Sequence, residues 1–232
     1  MADAITYTLE DRIAVVTLDD GKVNAMALPF FEALNAALDR AERDAPGAVV
    51  ITGRPGFFSA GLNIKLLPTL SPAELSRTLV AFGNVMLRVF MFPFPTVAAV
   101  SGHAIAGGAM LAFACDLRAM ADGPFRLHLN ETAIGLVLPT WAIAIAESVV
   151  PPRYRTEAIL HAHAYGPEEA RAHALVDRVV PPERLVDEAR SLAEPLLALD
   201  QRAYAGSKAR QRAMVVEWAR ARLEAEAAGG AK

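Results

Sequence analysis

SAGLNIK at residues 59–65 and GHAIAGGAM at residues 102–110 are the two stretches that decide the fold and the chemistry of this chain. Both place glycine and other small residues where a chain enters or leaves regular structure. Glycine at such a position lets a backbone N–H group face a ligand, because no Cβ stands in the way. Two N–H groups aimed at one point form an oxyanion hole, which stabilises negative charge on a carbonyl oxygen. The side chains beside this hole then determine the reaction.

The composition is that of a globular enzyme. The 232 residues are 53% hydrophobic and 21% charged, enough to build a sizeable core. A net charge of −3 gives no general attraction to nucleic acid or to anionic membranes. We find no signal-peptide pattern at the N-terminus and no uninterrupted apolar run long enough to span a membrane. We therefore expect a cytoplasmic protein with no nucleic-acid or membrane partner, and its single cysteine, Cys115, fits a reducing compartment.

Strand and helix signals alternate through the first part of the chain, which predicts an α/β protein with helices packed on a sheet. Ser71 and Glu74 form a capping-box pattern with Pro72 between them, which predicts the start of a helix. The predicted elements are a hairpin (5–9 and 13–18), helices (28–43, 72–90 and 107–113) and strands (48–52, 96–100 and 117–120).

From about residue 140 the pattern is helical. Proline and glycine pairs separate four predicted helices, at 140–150, 153–162, 167–173 and 183–199. Residues 201–228 are rich in Ala, Arg and Glu and predict a long amphipathic helix. Such a helix has few apolar residues of its own, so it needs another part of the fold or a neighbouring subunit to lie against.

Three blocks of sequence share their order and spacing with one known family. They are FFSAGLNIK (57–65), GHAIAGG (102–108) followed by CDLR (115–118), and LNETAIGL (129–136). Together they resemble the crotonase (enoyl-CoA hydratase/isomerase) superfamily over about residues 5–199. The resemblance implies a spiral of ββα repeats (1–195) followed by a C-terminal helical trimerisation region (196–232), in a homotrimer or a dimer of trimers. It also implies an acyl-CoA thioester substrate, so that coenzyme A belongs to the substrate and neither a cofactor nor a metal is needed.

The same resemblance assigns binding roles by position. The oxyanion hole would consist of the backbone N–H groups of Leu62 and Gly107, the latter at the positive end of a buried helix. Lys65 would meet a phosphate of coenzyme A, although a solvated surface lysine is an equally good interpretation. The full set implied for coenzyme A is Lys22, Val23, Ala60, Gly61, Asn63, Ile64 and Lys65.

The catalytic carboxylates distinguish the reactions of this superfamily. Its hydratases carry two glutamates, one near the start of the oxyanion helix and one in the third block. Here the first position is Met110 and the second is Glu131, so the matched motifs contain one carboxylate. Adding water to a double bond needs one group to activate the water and one to supply a proton, whereas a 1,3-proton shift needs one base.

The resemblance to single-glutamate Δ3-Δ2-enoyl-CoA isomerases is closest along NETAIGLVLPTW (130–141). It implies Glu131 as the base and Met110, Leu136 and Trp141 as residues of the acyl pocket. An apolar setting would raise the pKa of Glu131 toward a value useful for proton transfer.

Alternatives remain open at this point. Glu131 could instead complement a helix dipole, Met110 and Trp141 could be plain core residues, and His103 or His128 could be further acid–base groups. The chain could also be a hydratase, catalyse another crotonase reaction such as decarboxylation or thioester hydrolysis, or bind acyl-CoA without catalysis.

Overall fold

The chain begins with a β-hairpin. The computed structural model describes residues 4–229. Strands β1 (Ile5–Glu10) and β2 (Ile13–Leu18) pair antiparallel with Ile5 opposite Leu18. Asp11 and Arg12 between them have φ values of 48° and 64°. Positive φ at both turn residues matches the twist of the flanking strands, so the predicted hairpin is confirmed.

Nine further strands and eight α-helices follow within the described residues. The strands are β3 (Ala25–Met26), β4 (Ala48–Gly53), β5 (Gly56–Ser59), β6 (Gly61–Leu62), β7 (Thr96–Val100), β8 (Gly102–Ile105), β9 (Leu117–Ala121), β10 (Leu127–His128) and β11 (Arg178–Val180). The helices are α1 (Leu28–Asp44), α2 (Pro72–Phe90), α3 (Gly107–Ala114), α4 (Thr140–Val149), α5 (Arg155–Leu160), α6 (Pro167–Ala172), α7 (Leu185–Ala193) and α8 (Gln201–Gly229). Within residues 4–229, no helix combines the length and the apolar character that crossing a membrane requires.

These elements form the predicted spiral of ββα repeats. The successive turns are β2–β3–α1, β4–β5–α2, β7–β8–α3 and β9–β10–α4. The first strand of each turn joins a six-stranded sheet of order β1-β2-β4-β7-β9-β11, which is parallel except for the hairpin. The second strands β5, β8 and β10 form a small parallel sheet, and β3 pairs with β6.

Side chains on the two faces of the large sheet enter two separate cores. In β4, Val49 and Ile51 pack into the larger core beneath α1, α2 and α3, whereas Ala48 and Val50 face α7. Successive side chains of a strand point to opposite faces of the sheet. A strand that is buried on both faces is therefore apolar without interruption, as residues 48–51 are in the sequence.

The capping box that the sequence predicts for α2 is present. The Glu74 N–H donates to the Ser71 hydroxyl, and the Glu74 carboxylate accepts from the Ser71 N–H at 2.9 Å. Pro72 occupies the first turn, where its missing N–H leaves no hydrogen bond unmade.

The second part of the chain differs from the predicted run of helices. β11 is a strand that the sequence did not predict; it pairs parallel with β9 at the edge of the large sheet. Three residues are too few for a periodic pattern, so only pairing with β9 defines it. The helix predicted at 183–199 ends earlier, and a 3₁₀ helix (Glu194–Ala198) follows α7. The predicted boundary between residues 195 and 196 falls within this 3₁₀ segment.

Helix α8 lies against α2 and α4 of its own chain. Its buried residues Val216, Ala219, Leu223 and Ala227 recur every three or four positions, as expected for one face of a helix. Gly83 of α2 provides the space, because a Cβ there would lie 2.5 Å from Leu223 Cδ1.

A buried ionic cluster fixes the first half of α8 to the sheet. The Asp116 carboxylate accepts from Lys208 Nζ at 2.7 Å, from Arg212 Nη2 at 2.8 Å and from the Tyr204 hydroxyl at 2.9 Å. The same carboxylate accepts from the Thr96 N–H at the start of β7. Burial raises the pKa of Asp116, but Lys208 and Arg212 outweigh it, so the pKa lies below its ordinary value.

We predict that Asp116→Asn lowers the free energy of unfolding at pH 7 by about 3 kcal/mol, because it leaves Lys208 buried without a counterion. The folded-state pKa of Asp116 is lowered, so its stabilisation is present above the ordinary value of 3.8 and is lost as the pH falls below it. Urea unfolding at several pH values measures both effects. Asp39→Asn, which breaks an exposed pair with Arg88, is the control and should cost about 0.5 kcal/mol. Equal losses for the two variants would contradict the structural role of the cluster.

Candidate active site

The two glycine-containing segments meet at one point of the spiral. A Cβ on Gly61 would lie 2.7 Å from Gly107 N and 2.8 Å from Ile105 O, and a Cβ on Gly108 would overlap the Ser59 carbonyl. Gly61 also has a φ of +78°, which L side chains rarely adopt. Glycine at these positions is therefore required for β6 and the start of α3 to approach this closely.

This approach brings Leu62 and Gly107 together with their N–H groups outside the sheet and helix ladders. The Asn63 N–H donates to Met26 O at 2.9 Å, and successive N–H groups of a strand point to opposite sides, so the Leu62 N–H points away from β3. Gly107 is the first residue of α3, where an N–H has no partner within the helix. The Ala106 N–H donates to His128 O at 2.9 Å, which fixes the turn before α3. The arrangement is suited to bind an oxyanion, as the sequence predicts.

A largely apolar cavity of about 500 Å³ opens beside this junction. Its walls come from Leu62, from α2, from the segment between Glu131 and Trp141, and from α8. Two of the three residues predicted for the acyl pocket, Leu136 and Trp141, line it.

Trp141 belongs to both the core and the cavity wall. It is 2% exposed, and its ring meets Phe82 edge-on with the centroids 4.7 Å apart. Phe82 in turn stacks on Phe31 at 5.3 Å. The two interpretations of Trp141 that the sequence left open therefore hold together, and the aromatic stack gives the cavity a rigid wall.

Met110 is 1% exposed and packs in the larger core. Every residue of α3 is buried, so a side chain on this helix meets protein on all sides. Met110 is not among the described residues that line the cavity, which supports the packing interpretation that the sequence left open. Its place in the acyl pocket stays a prediction.

Glu131 lines the cavity, and no cation of residues 4–229 forms an ion pair with it. Its Oε2 is buried without a hydrogen-bond partner, and burial raises the pKa of the carboxyl group. The Glu131 carbonyl accepts from the Leu136 N–H at 2.9 Å, which closes the loop around Gly135 (φ +76°). A buried carboxylate of raised pKa next to a cavity is chemically suited to accept a proton.

The helix-dipole interpretation of Glu131 finds no support. The 3₁₀ helix after it spans only Thr132–Ile134, and the Glu131 side chain makes no capping hydrogen bond to it. Three residues make too short a helix for an appreciable dipole.

The two histidines that the sequence raised as further acid–base groups lie elsewhere. His103 Nδ1 accepts from the Arg126 N–H at 3.2 Å, and its ring packs near Phe57 and Phe125. Burial lowers the pKa of His128, which holds the Ala106 N–H through its carbonyl oxygen. Neither histidine lines the cavity, so neither is placed to exchange a proton with a ligand there.

The residues predicted for coenzyme A lie together at the surface end of the same loops. The Ala60 N–H donates to Val23 O at 3.0 Å, which joins their two segments. Lys22, Ile64 and Lys65 are exposed, whereas Val23, Ala60 and Asn63 are half-buried and Gly61 is buried. The structure thus joins the two segments that contain these seven residues, and their role in binding coenzyme A stays a prediction.

A second carboxylate that the sequence motifs missed lines the cavity. Glu226 of α8 accepts a hydrogen bond from the Thr140 N–H at 2.8 Å and another from the Thr140 hydroxyl. No local pattern distinguishes it from the other glutamates of α8. Its position becomes apparent only when α8 packs on α4, so the one-carboxylate interpretation holds for the matched motifs but not for the cavity.

Comparison with known proteins agrees with this geometry. A family model described as enoyl-CoA hydratase/isomerase matches residues 8–228. The chain belongs to this family, within the crotonase superfamily. The chain is 32% identical over 203 residues to the human mitochondrial enoyl-CoA delta isomerase 1, a match that covers 86% of the chain and 67% of the human protein. For the rat protein of the same name the match covers 64% of its length, so the chain spans about two thirds of these mammalian relatives.

Solved structures of the family carry both names. The apo structure of an enoyl-CoA isomerase of Mycobacterium tuberculosis is 36% identical with a TM-score of 0.90, and the match covers 97% of each chain. An enoyl-CoA hydratase of Mycobacterium ulcerans is 34% identical with a TM-score of 0.92, over 98% of this chain and 100% of that one. Membership of the family is therefore clear, and the reaction has to be argued from the site.

We predict that Gly61→Ala lowers kcat/KM about a hundredfold or more, because the new Cβ pushes the Leu62 and Gly107 N–H groups apart. Gly56→Ala is the matched control: Gly56 also has a positive φ (+88°), but a Cβ there meets nothing within 4 Å. Both variants should lose about 1 kcal/mol of stability to backbone strain, Gly61→Ala should lose more because its Cβ overlaps Gly107 and Ile105, and only Gly61→Ala should lose activity. Equal kcat/KM values for the two variants, measured with any acyl-CoA that the enzyme turns over, would contradict the oxyanion hole.

Proposed function

We propose that this protein isomerises 3-enoyl-CoA thioesters to 2-enoyl-CoA thioesters, with Glu131 as the base. The observation that carries the proposal is the Glu131 carboxylate. Its Oε2 is buried without a partner, beside a cavity that Leu62 of the predicted oxyanion hole also lines. Family membership supports an acyl-CoA substrate, which supplies the carbonyl oxygen for this hole.

The reaction needs two proton transfers and no other reagent. The thioester oxygen accepts hydrogen bonds from the Leu62 and Gly107 N–H groups, which makes the C2 protons more acidic. Glu131 removes a proton from C2, and the electron pair moves into the thioester to form a dienolate. The dienolate then takes the proton from Glu131 at C4, and the double bond moves from C3–C4 to C2–C3. The charge that develops on the oxygen is the one that the N–H groups and the positive end of α3 stabilise.

The environment of Glu131 suits this shuttle. Burial raises the pKa of the carboxyl group, which narrows the difference from the pKa of the carbon acid. Since none of the described cations pairs with the carboxylate, its basicity is retained when it is ionised. An apolar wall that includes Leu136 and Trp141 offers water few hydrogen-bonding partners, which favours return of the proton to carbon.

Hydration is the second candidate, because relatives carry both names and Glu226 adds a second carboxylate to the cavity. A hydratase needs this second group to hold the attacking water. Both oxygens of Glu226 already accept hydrogen bonds from Thr140, which leaves it less free to do so. This contact favours isomerisation.

Two substrates separate the candidates. We expect 3-hexenoyl-CoA to gain the absorbance of a conjugated enoyl thioester and 2-butenoyl-CoA to keep it. Loss of absorbance from 2-butenoyl-CoA would favour hydration instead. If neither substrate reacts but coenzyme A thioesters raise the melting temperature, the protein is a binding relative; release of free thiol or of carbon dioxide would identify hydrolysis or decarboxylation.

We predict that Glu131→Gln lowers kcat for 3-hexenoyl-CoA about a thousandfold or more, since the amide accepts no proton. Burial raises the folded-state pKa of Glu131, so its contribution to stability is lost as the pH rises through that value. The Gln variant should consequently melt at a higher temperature than the wild type at pH 7. Glu147→Gln, at an exposed position on α4, is the control for both kcat and the melting temperature. Activity that survives in Glu131→Gln would refute this residue as the base.

The pH profile gives an independent test. Because burial raises the pKa of Glu131, the acidic limb of kcat/KM should lie above the ordinary glutamate value of 4.5. Activity should fall as the pH decreases through this limb, while circular dichroism shows the protein still folded. A limb at or below 4.5 would show that the titrating base is not in the cavity.

The homotrimer or dimer of trimers and the cytoplasmic location remain part of this proposal, as implications of the family and of the composition.

A further inference from the structure

Helix α8 completes the wall of the cavity, and it brings a charge there. Leu223, Glu226 and Ala227 lie on one face of its last turns and line the cavity together. Leu223 and Ala227 are buried apolar residues, so Glu226 is the one acidic group that this face presents. A wall formed by the spiral alone would contain Glu131 as its only carboxylate.

Glu226 is held in place by the beginning of α4. The residue before α4 is Pro139, which provides no side-chain cap. The Glu226 carboxylate takes this role by accepting from the N–H and the hydroxyl of Thr140, and the positive end of the helix favours a negative charge there. Its position is therefore defined by two hydrogen bonds, even though it comes from a different part of the chain.

The part of the chain that the structure describes places no cationic side chain in the cavity wall. Among the described residues that line it, two are carboxylates, Glu131 and Glu226, and none is lysine, arginine or histidine. The other lining groups are mostly apolar. An acyl chain that enters the cavity with a negative charge of its own would lose its hydration, find no cation and meet like charge in the wall.

We propose that Glu226 is a specificity-determining residue, which restricts the cavity to neutral acyl chains and excludes acyl groups that end in a carboxylate. The inference rests on the proposed function only in that the cavity holds the acyl group of a coenzyme A thioester. Specificity of this kind arises from repulsion of the wrong ligand, at no loss for a neutral one. Apolar walls alone would disfavour an anion, because the anion loses its hydration on entry. Glu226 adds charge repulsion, which depends on this one side chain.

The test compares two ligands of the same shape and different charge. Adipoyl-CoA ends in a carboxylate, and 6-methylheptanoyl-CoA replaces its two terminal oxygens with methyl groups. Both are saturated, so neither is isomerised, and titration calorimetry gives a Kd for each with the full chain. The ratio of the two Kd values isolates the effect of charge from that of size.

Glu226→Gln keeps an oxygen that accepts from Thr140 and removes the charge. We expect it to reduce the ratio of Kd values, adipoyl-CoA over 6-methylheptanoyl-CoA, about tenfold or more, as for removal of a like charge nearby. Glu224→Gln is the matched control, because it removes the same charge from an exposed position on the same helix, and its ratio should equal that of the wild type. Glu226→Ala should change the ratio in the same direction and serves if the Gln variant does not fold.

Other outcomes overturn the proposal. A ratio unchanged in both Glu226 variants would show that the residue only caps α4. A change of the ratio of the same size in Glu224→Gln would show that the effect comes from the net charge of the protein and not from a contact in the cavity. Failure of the wild type to bind either ligand would refute the premise that the cavity holds an acyl group. Since binding is measured without turnover, a protein that binds selectively but does not convert 3-hexenoyl-CoA would refute the isomerase proposal and leave this one standing.

Discussion

The close approach of two backbones, at Gly61 and Gly107, is the constraint on which the candidate site depends. A Cβ at Gly61 would lie 2.7 Å from Gly107 N, so the contact exists only without side chains. It joins β6, from the second turn of the spiral, to α3 from the third, and it brings the Gly61–Leu62 strand close to Gly107, whose N–H has no partner within α3. The small parallel sheet of β5, β8 and β10 and the hydrogen bond from the Ala106 N–H to His128 O stabilise this junction. Leu62, next to this junction, lines the same cavity as Glu131, so the proposed chemistry depends on the junction.

The surroundings of two largely buried carboxylates, Asp116 and Glu131, shift their pKa values in opposite directions. Asp116 accepts from Lys208 and Arg212, and these cations lower its pKa, so it remains ionised and anchors α8. Glu131 has no such partner, and burial raises its pKa. A paired carboxylate stabilises the fold, whereas an unpaired one beside a cavity is costly to the fold and is available for proton transfer. This difference supports a structural role for Asp116 and a chemical role for Glu131.

The C-terminal helix connects these two sites. Its first half is fixed by the Asp116 cluster, and its last turns reach the cavity, where Glu226 caps α4. The spiral provides the predicted oxyanion hole and Glu131, the proposed base, and α8 provides one wall of the cavity. A helix with few apolar residues is well suited to this task, because side chains that are not needed for packing can set which acyl groups are accepted.

Much of this protein follows from its sequence, because local rules apply to local features. The hairpin at Asp11 and Arg12 and the capping box of α2 depend on backbone conformation that neighbouring residues determine, and the glycine-containing motifs identify the family by resemblance. Three features required the tertiary structure. Met110 lies in the core because every side of α3 is covered, β11 is a strand only because it pairs with β9, and Glu226 reaches the cavity only because α8 packs on α4. The sequence by itself thus determined local features such as the hairpin and the capping box, through residues that act on their own backbone, and its motifs indicated the fold family and the candidate base by resemblance. The tertiary structure decided which side chains face the acyl cavity, because that depends on contacts between residues far apart in the chain.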